Sequence, residues 1–474
     1  MRKENKNFLY NVIYQIFSLL MPLITAPYIA RVLGVENIGI YSYTYSIVSY
    51  FMLAALLGIN NYGSREIAKV AQSGDKEKLS RLFCEVYYMQ LILGVSMLVL
   101  YFIALPFFGG QYKTIFVLQS IFIVSAIFDI NWFYFGLENF KLTVSRNIII
   151  KALSLILIFV FVRSETDLLK YVLILSLSTL ISQLYLWLYI RKYVYFIRRS
   201  LKEIFSHFRQ CLILFVPVVA YSIYRIMDKT MLGAISGTIP LGYYQNAESI
   251  INIPVALVAA LGTVMLPSMS KKMETREFNN KLFGSFELIF LFVLPVVVSL
   301  INVGLDLAVV FYGGDFAESG YIIRVLAITI LFAGVANVVR TNYLIPRRKD
   351  EVYVTSTILG AVVNLILNFI FIPQFGVYGA CIGTIAAELS VMLHQMLKTK
   401  DFIKYSKVLV LFLKYLLKSV PIFVAQLIIG FMINDTLLRL FCNVVITIVL
   451  FAAINHKYIL YDFFGKKNNR IRRN

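Results

Sequence analysis

Apolar runs of about twenty residues recur along the chain, separated by short polar turns. Each is long enough to cross a hydrocarbon core of about 30 Å as a helix. They predict spans over 8–33, 38–59, 82–107, 113–135, 142–162, 168–190, 211–237, 241–266, 282–303, 321–345, 352–372, 377–397, 408–433 and 436–458. The predicted fold is therefore all-α, with about fourteen transmembrane helices. Pro22 and Pro27 each remove a backbone donor from the first span and predict a kink there. Tyr41, Ser42, Tyr45, Ser46 and Ser49 give the second span a polar face, suited either to sugar contact or to helix packing.

Charges inside spans single out candidate functional positions, because each Arg, Lys or Asp at a helix centre costs about 2.5–3.5 kcal/mol on insertion scales. The stretch CLILFVPVVAYSIYRIMDKTMLGAISG, residues 211–237, carries Arg225, Asp228 and Lys229. Positions three and four apart share a helix face, so Tyr221, Ser222, Arg225, Asp228 and Lys229 form one stripe. Two readings of the stripe stand side by side: it lines a cavity, or it locks helices together by an Arg225–Asp228 pair while Lys229 snorkels to the surface. Asp129 in the fourth span and Glu248 in the eighth are further intramembrane acids.

Composition narrows the class. With 59% hydrophobic and 15% charged residues in 474, no soluble core accounts for the chain, which reads as a polytopic membrane protein. The formal charge of +20 would suit nucleic acid, but the basic residues sit in short clusters between spans, as topology signals do, and no nucleic-acid module is present. Most of the 45 Lys and Arg fall on one side if both termini are cytoplasmic, whereas Glu36, Glu165, Asp167, Asp315, Glu318 and Asp435 fall on the other. Cys84, Cys211, Cys381 and Cys442 lack metal or disulfide spacing, and His207, His394 and His456 form no cluster. With no GxSxG, HExxH or P-loop, the chain reads as a transporter rather than an enzyme, with no bound metal or cofactor. The first apolar run is full length and lacks a small-residue cleavage site, so it reads as a retained helix.

Self-similarity organises the spans. SLILIFVFV at 154–162 matches NLILNFIFI at 364–372; RVLGVENIGIY from Arg31 resembles KTMLGAISGTIPLGYY from Lys229; Tyr171 and Tyr378 open corresponding spans. Six spans separate equivalent points, so the halves are expected to be parallel six-helix lobes with the pathway between them, working by alternating access. The expected division is an N-terminal lobe over 1–195, a basic amphipathic linker over 196–206 lying on an anionic inner leaflet, a C-terminal lobe over 207–400, and two further helices with a basic tail over 401–474.

PLITAPYIARVLGVENIGIYSYTYSIVSYF, LGINNYGSREIA and YRIMDKTMLG together resemble Wzx-type polysaccharide repeat-unit flippases of the multidrug/oligosaccharidyl-lipid/polysaccharide (MOP) exporter superfamily, over almost the whole chain. The resemblance implies a multi-pass protein of the bacterial cytoplasmic membrane that moves an undecaprenyl-diphosphate-linked oligosaccharide from the inner to the outer leaflet for capsule, O-antigen or exopolysaccharide assembly. Its expected partners are that glycan lipid, the surrounding membrane lipids and other polysaccharide assembly proteins; its energy would come from a proton or sodium gradient or the membrane potential. Carried onto this chain, Arg31, Arg225 and Lys229 are candidate diphosphate contacts. Tyr41, Tyr45, Tyr221 and Tyr244 are candidate sugar platforms, and Asp228, Asp129 and Glu248 candidate orienting or ion-coupling acids. The first helix offers only Gln15 and Arg31 where the lipid II branch carries several charges, which favours the capsule or O-antigen branch. Two alternatives stay open: a cation-coupled multidrug exporter of the same superfamily, with Asp129 or Glu248 as its cation site, and a membrane glycan polymerase or ligase. The latter would be expected to carry a large external loop, where this chain has only short turns such as YGGDFAESG.

Overall fold

The computed structural model describes residues 3–269 and 275–457, with side chains from residue 21 onward save for a few positions, Tyr221 among them. The described residues are helical with no strand, as an apolar environment demands of a chain whose backbone groups must all pair internally. In chain order the helices are α1 (Lys3–Leu56), α2 (Ile59–Ala71), α3 (Lys76–Phe108), α4 (Lys113–Ile127), α5 (Asn131–Gly136), α6 (Phe140–Phe161), α7 (Leu168–Ile190), α8 (Leu201–Ile204) and α9 (Phe208–Ile235). They continue with α10 (Thr238–Met269), α11 (Thr275–Tyr312), α12 (Ala317–Val339), α13 (Asp350–Phe375), α14 (Val377–Thr399), α15 (Tyr405–Met432) and α16 (Thr436–Lys457).

Among the described residues twelve helices are long and apolar enough to cross a membrane. That set takes Met21–Ala71 as one segment and does not include α9, whereas the fourteen expected spans divide α1 in two and include α9. The division within α1 falls at Gly34, whose φ of 75° and ψ of 174° interrupt the helix. Large apolar side chains such as Leu188, Phe369, Leu417 and Phe431 stand more than 70% exposed, which suits faces covered by lipid.

Packing divides the chain into two units that meet at Gln245 and Asn246. In the first, one aromatic core gathers Phe83, Trp132, Phe133 and Tyr134 with Ile190 and Val194. A second gathers Val48, Tyr101, Phe116 and Phe122. α9 belongs to this unit and packs along α1.

The two turns related by sequence pack on one another. A Cβ at Gly39 would lie 1.8 Å from the Thr238 carbonyl oxygen, one at Gly242 2.1 Å from that of Val35, and one at Gly233 2.4 Å from the Tyr43 ring. Aligning Leu33–Gly34 on Leu232–Gly233 makes 39 equivalent to 238 and 43 to 242. Gly39 therefore meets its own equivalent, and the contacts of Val35 with Gly242 and Tyr43 with Gly233 are near mirror counterparts. Such reciprocity is what a local two-fold relation produces.

The linker after α7 is mostly without regular structure. Residues 194–200 have no regular structure, and only Leu201–Ile204 forms an α-turn. The segment is a strap tied to α3: the Tyr195 amide donates to Ser80 Oγ at 3.2 Å, the Ile197 amide to Cys84 Sγ at 3.3 Å, and Arg199 Nε to Glu85 Oε1 at 2.8 Å. Val194 and Ile204 are buried while Tyr195, Phe196 and Arg198 are exposed. Packing one side of the strap on α3 satisfies its amides and apolar side chains without helical periodicity.

Candidate functional site

The charged segment of α9 lies beside the second half of α1. The Thr230 hydroxyl donates to Ser46 Oγ at 2.8 Å and approaches the Tyr50 hydroxyl at 3.4 Å, so this flank of α9 seals against α1. One position earlier Lys229 is half-buried, and one turn earlier Arg225 is half-buried. Asp228 is 4% exposed, and its Oδ2 accepts a hydrogen bond from the buried Tyr244 hydroxyl at 3.1 Å. The helix thus spends Asp228 on an interhelical lock to α10 while Arg225 and Lys229 keep partial access. Tyr244 is buried in that lock. The Tyr221 side chain lies outside the described residues.

Arg31 is exposed on α1, one turn before the break at Gly34. The break is held by the turn between α6 and α7: Tyr28 donates to the Val162 carbonyl at 2.7 Å and Asn37 Nδ2 to the Glu165 carbonyl at 3.0 Å. Tyr41 and Tyr45 are half-buried and stack with ring centroids 5.6 Å apart, Tyr41 meeting Tyr171 edge-on at 5.2 Å and Tyr45 meeting Phe122 at 5.1 Å. Tyr41 and Tyr45, four positions apart, share one face of α1 and form a ridge, and Ser42, Thr44 and Ser46 beside them are buried.

Asp129 belongs to a different constellation. It sits at the break between α4 and α5, where its Oδ1 accepts from the Asn131 amide at 2.9 Å and from Asn131 Nδ2 at 2.6 Å. Asn131 in turn donates to Gln183 Oε1 at 3.1 Å and accepts from Arg146 at 2.9 Å; the same guanidinium reaches Asn147 Oδ1 at 2.8 Å. Beneath it Gln90 Nε2 donates to the carbonyls of Ala126 and Asp129 at 2.7 and 2.8 Å, and Gln90 Oε1 accepts from the Trp132 indole at 2.9 Å. This network satisfies the backbone groups that the α4–α5 break releases. Arg146, 3% exposed, is a buried charge that the sequence reading passed over, although its place four residues into a predicted span was the available signal. Glu248 is half-buried on α10 and belongs to the second unit.

An all-helical, multi-pass bundle with cationic positions on inner helices defines a membrane transporter rather than an enzyme. A family model described as "Polysaccharide biosynthesis protein" matches residues 5–273, and one described as "Lipid II flippase MurJ" matches 142–451. Each spans more than half of the chain, which belongs to the polysaccharide biosynthesis protein family and matches the MurJ model over its later part. A Shigella dysenteriae relative described as "Putative O-antigen transporter" is 23% identical over 399 residues, 83% of this chain and 100% of the relative. Among solved structures, "Lipid II flippase MurJ, inward closed conformation" aligns with a TM-score of 0.78 at 18% identity, covering 96% of this chain and 99% of that one. An inward-facing multidrug resistance MATE family transporter of the MOP superfamily aligns at 0.61 and 15% identity, covering 84% of this chain and 95% of that one. These likenesses are of fold.

Proposed function

We propose that the protein flips undecaprenyl-diphosphate-linked oligosaccharide repeat units from the inner to the outer leaflet of the bacterial cytoplasmic membrane, by alternating access, with both termini cytoplasmic. The observation that carries the proposal is the placing of two half-buried cations, Arg225 and Lys229, one turn apart on α9, a helix packed along α1. A diphosphate crossing hydrocarbon needs its charge met at every depth, and a guanidinium donates to phosphate oxygens through a fixed fork. In this reading Arg225 and Lys229 receive the diphosphate and exposed Arg31 offers a further contact. The Tyr41–Tyr45 ridge and Tyr221 serve as sugar platforms, while Tyr244 and Asp228 hold α9 in place. The relative described as an O-antigen transporter supports the glycan-lipid class of substrate. A proton or sodium gradient or the membrane potential, worth about 2.3 kcal/mol per charge at 100 mV, would drive the cycle.

The rival is a cation-coupled drug exporter, favoured by the MATE fold likeness. Its cation site would need Asp129 or Glu248, and Asp129 already accepts two hydrogen bonds at its own helix break. Cells depleted of the protein separate the readings. Lipid-linked repeat units trapped on the cytoplasmic face, rescued by wild type and not by an equally abundant Arg225→Ala variant, support flipping. Normal delivery to the outer leaflet in depleted cells would overturn it in favour of drug export.

A further inference from the structure

A cavity of about 370 Å³ opens in the second unit between α11, α12, α15 and α16. Its residues lie within about three turns of the α11 and α15 C-termini and the α12 and α16 N-termini, so it occupies one end of these four helices.

Its walls divide by chemistry. On the polar side Arg439 Nε donates to Asp306 Oδ2 at 2.6 Å, so these two charges cancel. Gln426 builds the floor, donating to Ser299 Oγ at 3.0 Å and Thr447 Oγ1 at 2.8 Å while accepting from Asn302 Nδ2 at 3.2 Å. Arg324 is left over. One of its terminal nitrogens donates to the Asn302 carbonyl at 3.0 Å, but its Nε is buried with no partner, and among the described residues no carboxylate pairs with it. Asn443, 3% exposed, also keeps a buried, unpartnered Oδ1 at the cavity. On the opposite side the rim is apolar and open: Phe431 is 88% exposed and Leu427 41%.

An uncompensated guanidinium lining a cavity inside an apolar bundle calls for an anion, and the hydrocarbon rim calls for a chain attached to it. We propose that this cavity binds the phosphate group of a membrane lipid, Arg324 meeting the phosphate oxygens and the chains lying against Phe431 and Leu427. None of its lining residues is among those proposed to meet the transported lipid, so it can stand whether or not the protein flips glycan lipids. Phosphate carried by a bilayer phospholipid or by a polyprenyl carrier satisfies the same chemistry.

Gly430 supplies a clean block. It lines the cavity, and a Cβ added there meets no atom within 4 Å, so the side chain of Gly430→Leu starts in open space and leaves Arg324 intact. Native mass spectrometry of the full chain released from detergent, with phosphatidylglycerol, polyprenyl phosphate or diacylglycerol added, reads retention directly. The expected result is retention of a phosphate-bearing lipid over diacylglycerol, falling about tenfold in both Arg324→Gln and Gly430→Leu. Loss seen with phosphatidylglycerol assigns the site to bilayer lipid, and loss seen with polyprenyl phosphate assigns it to the carrier. Equal retention in wild type and Gly430→Leu, or diacylglycerol held as well as the phosphate lipids, would overturn the proposal even if Arg324→Gln failed to fold.

Discussion

Arg146 shows what a buried charge in this chain can be for. It joins Asn131 and Asn147 within about 3 Å and approaches Gln183 at 3.4 Å, closing a network around the α4–α5 break. Hydrogen bonds between membrane helices average about 0.6 kcal/mol each, so Arg146→Ala is expected to cost about 2 kcal/mol, read as a lowered unfolding midpoint in detergent. The single hydroxyl of Tyr244 is a smaller test of the same principle. Tyr244→Phe removes one donor to Asp228 and is expected to lower stability by about 1 kcal/mol in the same measurement; an unchanged midpoint would mean the lock is not used. Asp129 is legible in the sequence as an intramembrane acid, but its occupation by Asn131 is not, because the bond depends on where α4 stops.

Helix pairing is decided by glycine where backbones touch. The close approach of the two related turns leaves no room at Gly39 for a methyl group. Gly39→Ala is therefore expected to destabilise by about 1–3 kcal/mol through forced separation of α1 from the start of α10, and Gly242→Ala similarly. At Gly284, where nothing lies within 4 Å, alanine should be neutral or slightly stabilising, which makes it the control in the same melting series. The repeat RVLG/KTMLG marked these turns as equivalent, and the structure adds that they meet. In the strap over 194–200 the alternating aromatic and basic residues marked a linker, and the structure adds that bonds to Ser80, Cys84 and Glu85 tie it to α3.

For the whole molecule the expectation that can be tested most simply is sidedness. Glu36 and Lys202 are both exposed and lie on opposite sides under the positive-inside reading. Single cysteines at these positions, in a background lacking Cys84, Cys211, Cys381 and Cys442, should react with a membrane-impermeant maleimide from opposite faces of intact cells and inverted vesicles. Reaction of both from one face would overturn the orientation.

The sequence by itself determined the helical, membrane-spanning class, most span boundaries and the break near Gly34, because hydropathy over twenty residues and turn glycines are local properties that hydrocarbon enforces. Only the tertiary structure decided which intramembrane charges are spent on packing. Asp228 with Tyr244, Asp129 with Asn131 and Asp306 with Arg439 are engaged, while Arg324 is left facing a cavity. The reason is physical: insertion costs each charge much the same wherever it stands in the chain, but its partner comes from another helix, and that distance is set by packing rather than by periodicity.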